Sequence, residues 1–233
     1  SIRVKDTGNL IDTTNEELAK KENIYNPDKI YGPTLIVVGK NWINKYVEEE
    51  IAKMNVGEEK VIEIPPEKAF GPRDPSKVKT YRLTFFKRRG IDVRVGEVID
   101  FGGVQGVVKS ITGGRVLIDF NHPLAGKTLL YYVKIVDKID DLIGKVKSLA
   151  VKHLNIKDVE LSITYNSDSR EVVIEIPSKY LTRRDLQYGK LTLAMDILEL
   201  LKDSVDRIVF REVISRVREE EKKETESSSE STQ

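Results

Sequence analysis

The chain has 233 residues, a length at which two or three compact units are expected. Its 39% hydrophobic and 33% charged residues are typical of soluble globular domains and argue against a disordered or membrane chain, while a net charge of +1 gives no general attraction to nucleic acid. The absence of cysteine excludes disulfides and thiolate metal sites, and the two histidines, His122 and His153, are too far apart in sequence for a local ligand pair, so no structural metal is expected.

The first part of the chain predicts a small sheet with one helix. Residues 2–8 are typical of the end of a strand that enters a turn. Asp12 is a candidate N-cap for a short helix through Leu18 and Ala19, because acids follow it in the first turn. Beyond this helix the pattern predicts a short apolar strand at 35–38, a helix at 47–54 with one apolar stripe, and an alternating strand at 60–65.

A long stretch separates Pro72 from Asn121. About fifty residues are far more than an ordinary turn needs, so this segment must have structure of its own. Glycine pairs divide it into three segments of strand-like composition, at 96–100, 106–111 and 115–120. The sequence therefore predicts a small inserted β domain. It is either a stabilising appendage or, because so small a unit buries little, a carrier of exposed apolar surface.

The run from Asn121 to Lys127, Asn-His-Pro-Leu-Ala-Gly-Lys, is a polar turn between two alternating segments. Pro123 removes a donor from any strand ladder, and Gly126 permits a positive φ. Residues 128–133 alternate in the manner of a strand, and the strand pattern continues through 134–136. This segment therefore closes the sheet that the first part of the chain begins.

The region from 140 to 218 predicts a third unit with the order helix, strand, strand, helix, strand. Its predicted elements are a helix with Leu142, Val146, Leu149 and Leu154 on one face, strands at 159–165 and 171–176, a helix at 186–201 and a strand at 205–217. The open sheet edge and uncovered face are compatible with a homodimer, and equally with a monomeric appendage. Residues 219–233 are charged and rich in serine, which predicts a disordered tail.

Three motifs together resemble the FKBP-type peptidyl-prolyl isomerases, in particular the long archaeal proteins similar to SlyD. The motifs are Met-Asn-Val-Gly-Glu at 54–58, Pro-Pro-Glu-Lys-Ala-Phe-Gly at 65–71 and the turn at 121–127. The resemblance implies an α+β fold, in which an FKBP-type half-barrel sheet wraps one helix, with a small all-β insert-in-flap domain and a C-terminal α+β domain of order αββαβ. The implied domains are the isomerase domain at 1–72 and 121–138, whose first strand would be incomplete, the insert at 73–120, the C-terminal domain at 139–218 and the tail at 219–233.

The reaction that this resemblance implies is cis–trans isomerisation of X-Pro bonds in unfolded or nascent proteins. Rotation about such a bond has a barrier of about 20 kcal/mol because the amide is conjugated. A dry apolar pocket weakens the conjugation by denying water to the carbonyl, and no nucleophile, metal or cofactor is needed. The insert would act as a chaperone that captures unfolded segments. Since bond rotation moves no proton, His122 is interpreted as a turn residue rather than a proton shuttle.

The resemblance also implies which side chains line the pocket: Ile11, Asp12, Ile43, Val47, Phe70, Leu124 and Tyr131. Asp12 is the polar member, and it is open whether it caps the first helix, forms a wall of the pocket, or does both. Phe70 and Tyr131 are either pocket walls or ordinary core aromatics, and their placement beside the family motifs favours the pocket.

The sequence departs from the family pattern at residues 43–47, where Asn44 occupies a position that normally helps to floor the pocket and Val47 is smaller than the usual residue. An aromatic wall residue that the family carries on its first strand would fall at or just before Ser1. We therefore expect reduced isomerase activity.

Two other functions are considered. The first is a chaperone or binding module that keeps the fold but has lost most of its catalysis. The second is contact with RNA or the ribosome through Lys87, Arg88, Arg89 and Arg94, although such charges are more often a solvated face, so nucleic acid is not an expected partner. The expected partners are unfolded polypeptides and a possible second copy of the chain. Without an apolar run of membrane-spanning length or a visible secretory segment, a cytoplasmic location is expected.

Overall fold

The computed structural model describes residues 1–214, apart from the side chain of Asp158, so the predicted tail at 219–233 lies outside the described residues. The described residues form two compact units, one of residues 1–26 with 36–137, and one of residues 27–35 with 138–214. Within the described residues, no helix has both the length and the apolar character needed to cross a membrane. The architecture is α+β, with three separate sheets.

The first unit opens with a four-stranded antiparallel sheet of order β2-β1-β8-β3. Its strands are β1 (Ile2–Val4), β2 (Leu10–Asp12), β3 (Glu59–Ile64) and β8 (Leu129–Lys134), with helices α1 (Glu16–Lys21) and α2 (Lys45–Ile51) in the connections. Val47 of α2 is buried with Ile62 and Ile64 of β3, so α2 covers one face of the sheet. This is the sheet on one helix that the family resemblance implies.

Two details of this sheet differ from the prediction. The N-cap of α1 is Asn15, whose side chain accepts the Leu18 N–H, so the prediction that Asp12 caps this helix is wrong. Asp12 instead ends β2, because its backbone pairs with Ile2. No strand forms at 35–38: Val38 is 61% exposed in a turn whose Gly39 has a φ of +93°, and without a partner strand the apolar run stays irregular.

The inserted segment forms a second antiparallel sheet of order β4-β7-β6-β5. Its elements are β4 (Val78–Arg82), α3 (Leu83–Lys87), β5 (Val98–Asp100), β6 (Gln105–Thr112) and β7 (Arg115–Asp119). The last three match the predicted strands, whereas β4 and α3 were not predicted, because β4 runs directly into α3 with no turn residue between them. The core is built around the fully buried Phe86 and Ile118.

The second unit holds a three-stranded sheet of order β11-β10-β9, in which β11 is parallel and β9 antiparallel to β10. Its elements are α4 (Leu142–Leu154), β9 (Ser162–Asn166), β10 (Glu171–Ile176), α5 (Leu186–Leu200) and β11 (Arg207–Glu212). Asn155 ends α4 in the left-handed conformation that a helix C-terminus favours. Gly189 of α5 lies against the His153 carbonyl of α4, where a Cβ would come within 2.8 Å, so the two helices pack at close range.

Candidate active site

The register of the first sheet aligns one row of side chains across all four strands. Asp12 pairs with Ile2, Ile2 with Tyr131, and Tyr131 with Ile62. Directly paired residues of antiparallel strands point to the same face. Because Ile62 is buried against α2, Asp12 and Tyr131 both lie on the face that carries this helix, with Ile2 between them. Ile2 thus occupies this row, one residue after Ser1, at or just before which the family resemblance implies an aromatic wall residue.

A first apolar group forms where this row meets α2. Ile43 and Tyr131 pack against the buried cluster around Val47, so the structure brings three of the predicted pocket residues together. Tyr131 is only partly buried, and this burial raises the pKa of its hydroxyl. The side chain therefore presents a neutral O–H near the edge of an apolar surface.

A second group lies in the turns at 69–71 and 121–126. The rings of Phe70 and His122 are parallel, with centroids 4.3 Å apart and an interplanar angle of 3°. The His122 Nδ1 accepts the backbone N–H of Leu124 at 3.1 Å, so one histidine positions both Phe70 and Leu124. Phe70 is 46% exposed, which makes it an accessible aromatic. Ala69, next to Phe70 in the chain, packs against the Val47 cluster and thereby connects the two groups.

Ile11 is the predicted pocket residue that the structure does not join to either group. It lies at the irregularity in the pairing of β1 with β2, is 37% exposed, and is not among the described hydrophobic side chains that pack on the Val47 cluster. Asp12 accepts the N–H of Thr13 at 2.8 Å and shares the face of Tyr131.

Asn44 has a structural role that the sequence comparison missed. Its Oδ1 accepts the N–H of Tyr46 at 3.0 Å and so caps α2, while its Nδ2 donates to the Lys68 carbonyl at 2.6 Å. The amide thus joins the start of α2 to the turn that carries Phe70. An asparagine directly before a helical stripe is a known N-cap signal, and this signal was available in the sequence.

A polar clamp joins the two chain segments that lead into and out of the insert. Arg73 forms an ion pair with the buried Asp119 at 2.6 Å. Asn121 donates to Asp119 Oδ1 and to the Asp74 carbonyl, and its own carbonyl oxygen accepts the Asp74 N–H. Burial alone would raise the pKa of Asp119, but the hydrogen bonds of Asn121 and the charges of Arg73 and Lys109 hold it below the ordinary value. No sequence pattern indicates this clamp, because its two halves are far apart in the chain.

The insert carries an aromatic surface at the rim of its core. Four of the six phenylalanines of the chain lie in this segment. Phe85, Phe101, Phe120 and Tyr81 are all only partly buried, and Tyr81 contacts the other three at ring-centroid distances of 5.2 to 6.4 Å. The exposed Val98 and Val104 belong to the same small sheet and its turn. This aromatic rim, composed of Tyr81, Phe85, Phe101 and Phe120, is suited to apolar segments of a flexible chain.

These features define a class of α+β protein in which a second sheet is inserted beside an apolar site on the first. Residues 83–124 match the family model described as the FKBP26 IF domain. A short-type peptidyl-prolyl cis-trans isomerase of Methanocaldococcus jannaschii is 37% identical over 130 residues, which cover 56% of this chain and 83% of the relative. A probable FKBP-type 16 kDa isomerase of Pseudomonas fluorescens is 34% identical over 110 residues, 45% of this chain and 72% of the relative.

SlyD of Helicobacter pylori, an FKBP-type peptidyl-prolyl cis-trans isomerase, is 31% identical over 108 residues, 45% of this chain and 58% of the relative. The chain belongs to the FKBP-type peptidyl-prolyl isomerase family. The resemblance to the FKBP-type peptidyl-prolyl isomerases that the sequence motifs indicate is thereby confirmed.

Proposed function

We propose that this protein catalyses cis–trans isomerisation of X-Pro bonds in unfolded or nascent polypeptides in the cytoplasm, and that its insert holds these polypeptides as a chaperone. The isomerase domain would comprise residues 1–72 and 121–138, the insert 73–120 and the C-terminal domain 139–218. The observation that carries the proposal is the pair of apolar groups joined through Ala69, with Tyr131 on one side and the exposed Phe70 on the other.

The proposed site acts by excluding water from the bound X-Pro amide. The Val47 cluster supplies an apolar floor, and Tyr131 and Phe70 supply aromatic walls that can hold a proline ring while the amide twists. A carbonyl removed from water loses part of its amide conjugation, which lowers the barrier to rotation. The neutral hydroxyl of Tyr131 is placed to donate a hydrogen bond at the edge of this surface. The reaction moves no proton, so the site needs no acid or base.

A proline-peptide assay with paired variants tests the pocket. Tyr131→Ala and Phe70→Ala should each lower kcat/KM about tenfold, since loss of one well-placed aromatic contact costs on the order of 1 kcal/mol or more. Tyr132→Ala is the matched control, because Tyr132 lies on the opposite face of the same strand and is 43% exposed. Unchanged turnover in both pocket variants would contradict the assignment of the site.

We further propose that turnover is below the level usual in the family. Asn44 is engaged as a helix cap, Val47 fills little volume, and the residue between Asp12 and Tyr131 is the aliphatic Ile2. A catalytically weak chaperone is therefore the second candidate function, and the aromatic rim of the insert favours it. Family-level turnover in the proline-peptide assay would overturn the prediction of weak catalysis.

The chaperone role predicts that the aromatic rim binds unfolded chains. Phe85→Ser and Phe101→Ser should each weaken suppression of aggregation of a reduced, unfolded protein, while turnover of a short proline peptide stays unchanged. Lys87→Ser serves as the control, because Lys87 is exposed in the same insert. Equal suppression by the variants and the unaltered protein would argue that the insert is only a stabilising appendage.

Two of the four cations considered for nucleic-acid contact, Arg89 and Arg94, have local partners, so nucleic acid is not proposed as a partner. Arg89 lies 3.7 Å from the ring centroid of Phe85, and Arg94 forms an ion pair with Asp92 at 3.2 Å. A shift on adding RNA that weakens with salt would revive that interpretation.

A homodimer through the C-terminal domain is proposed from the exposed face of α5. Tyr188, Leu191, Met195 and Leu198 are 41% to 73% exposed and recur at spacings of three and four, which places one apolar stripe on the helix surface. The sheet face opposite the helices instead carries the ion pairs Arg207–Glu171 and Arg211–Glu175, so α5 is the better contact. Leu191→Glu should shift the sedimentation coefficient to that of a monomer, whereas Glu199→Gln should not.

A further inference from the structure

A cleft of about 220 Å³ lies between the inserted sheet and the turn after it. Three cationic side chains line it, Arg73, Lys109 and Lys127, together with one carboxylate, Asp119. The cleft therefore has an excess of positive charge at neutral pH.

The carboxylate of Asp119 is already satisfied without the two lysines. Its Oδ2 accepts from Arg73, and its Oδ1 accepts both the backbone and the side-chain N–H of Asn121. Neither Lys109 nor Lys127 forms an ion pair within residues 1–214, and Lys109 acts on Asp119 through its charge alone. Two lysines thus line the cleft without an ion-pair partner among the described residues.

The cleft adjoins the proposed proline pocket through a single side chain. His122 lines the cleft on one side and stacks on Phe70 with its ring. The His122 ring lies 4.3 Å from the Phe70 ring, and an extended peptide advances about 3.3 to 3.6 Å per residue. A chain with its proline beside Phe70 therefore passes His122 after about one or two residues and enters the cleft beyond it.

We infer that the cleft binds the carboxylate of an aspartate or glutamate that lies about two or three residues from the proline in the client polypeptide. This inference rests on the proposed isomerase function, because the proline sets the register of the peptide. Lysine ammonium groups are flexible point charges that accept a carboxylate from several directions. A doubly charged phosphate fits less well, because the buried carboxylate of Asp119 in the same wall would repel it more strongly.

The test compares two fluorescent proline peptides that differ at one position, where one has glutamate and the other glutamine. This position lies two residues before the proline in one peptide pair and two residues after it in a second pair. At low salt the KM of the glutamate peptide should be about two- to fivefold lower than that of the glutamine peptide. The expected difference is small because an exposed ion pair contributes little free energy. The double variant Lys109→Gln, Lys127→Gln should lose this preference and keep its turnover of the glutamine peptide. The control variant Lys21→Gln, Lys87→Gln removes the same charge elsewhere and should retain the preference.

Equal KM for the two peptides in the unaltered protein, or a preference that survives the double variant, would overturn the inference. The inference would also be overturned if inorganic phosphate inhibited isomerisation of both peptides equally and this inhibition disappeared in the double variant. The cleft would then be a phosphate site. If neither peptide is isomerised, the proposed function fails on its own, and fluorescence anisotropy of the two peptides still decides whether the cleft prefers the carboxylate.

Discussion

At the scale of single residues, His122 is the side chain on which the proposed pocket depends most. Its ring stacks on Phe70, and its Nδ1 accepts the Leu124 N–H, which places the ring proton on Nε2. The sequence identified His122 as a turn residue, and the hydrogen bond to Leu124 agrees with that. The stack on Phe70 was beyond sequence reasoning, because the two residues are distant in the chain and no local pattern pairs them.

Two substitutions separate the functions of His122. His122→Asn keeps an acceptor for the Leu124 N–H and loses the stack, whereas His122→Phe keeps an aromatic ring and loses the acceptor. We expect each to lower kcat by about two- to tenfold, since an aromatic contact and a hydrogen bond are each worth about 1 kcal/mol. His122→Ala should lose the most. Equal effects of all three on thermal stability, with unchanged kcat, would show that His122 only stabilises the turn.

Asn44 shows how a departure from a family pattern can have a structural cause. Asn44→Leu, which by sequence alone should restore the pocket floor, removes both the cap of α2 and the bond to Lys68. We expect a loss of about 1 kcal/mol in the free energy of unfolding, measured with denaturant, and no gain in turnover. Asn44→Asp keeps the cap and should cost less. A stable and faster Asn44→Leu protein would contradict this interpretation.

At the scale of elements, sequence patterns located helices and strands best where the periodic run was long. The helices at 142–154 and 186–200 and the strands of the insert follow from their apolar periodicity and glycine turns. Prediction failed at β4, because no turn residue separates it from α3, and at 35–38, because an apolar run became irregular without a partner strand. Within the candidate site, the motif residues were predicted by family resemblance. The clamp and the stack of Phe70 on His122 were not predicted, because they form between residues that are distant in the chain.

The contact between α4 and α5 depends on Gly189. A Cβ at this position would lie 2.8 Å from the His153 carbonyl and 3.4 Å from Leu154, and backbone cannot yield as a side chain can. Gly189→Ala gains about 1 kcal/mol in helix propensity but should lose more by forcing the helices apart, a net destabilisation of about 1 to 2 kcal/mol. Gln187→Ala, at an exposed position of the same helix outside the proposed dimer contact, is the control. Denaturant unfolding followed by circular dichroism measures both, and a more stable Gly189→Ala protein would refute the close contact.

At the scale of the whole first unit, the clamp of Arg73, Asp119 and Asn121 determines how firmly the insert is attached to the sheet that carries the pocket. The two chain segments that enter and leave the insert are joined here by these side-chain contacts and by backbone hydrogen bonds from Phe120 to Lys77 and from Gly126 to Gly71. The strength of the side-chain contacts therefore bears on whether a held client stays beside Phe70. The clamp and the cleft lined by Lys109 and Lys127 share Asp119 and Arg73, so the proposed recognition of the client would depend on how the insert is attached.

The clamp should weaken in acid. The folded-state pKa of Asp119 lies below its value in the unfolded chain, so its contribution to stability is complete above the unfolded pKa of about 3.9 and is lost as the pH falls through the folded pKa. Asp119→Asn should therefore lower the melting temperature at pH 7 and have progressively less effect as the pH falls below about 4. Asp92→Asn is the control, because Asp92 is an exposed carboxylate of the same insert with only the local partner Arg94. If the difference between Asp119→Asn and the unaltered protein is the same at pH 7 and in acid, the ionised carboxylate of Asp119 does not hold the insert in place.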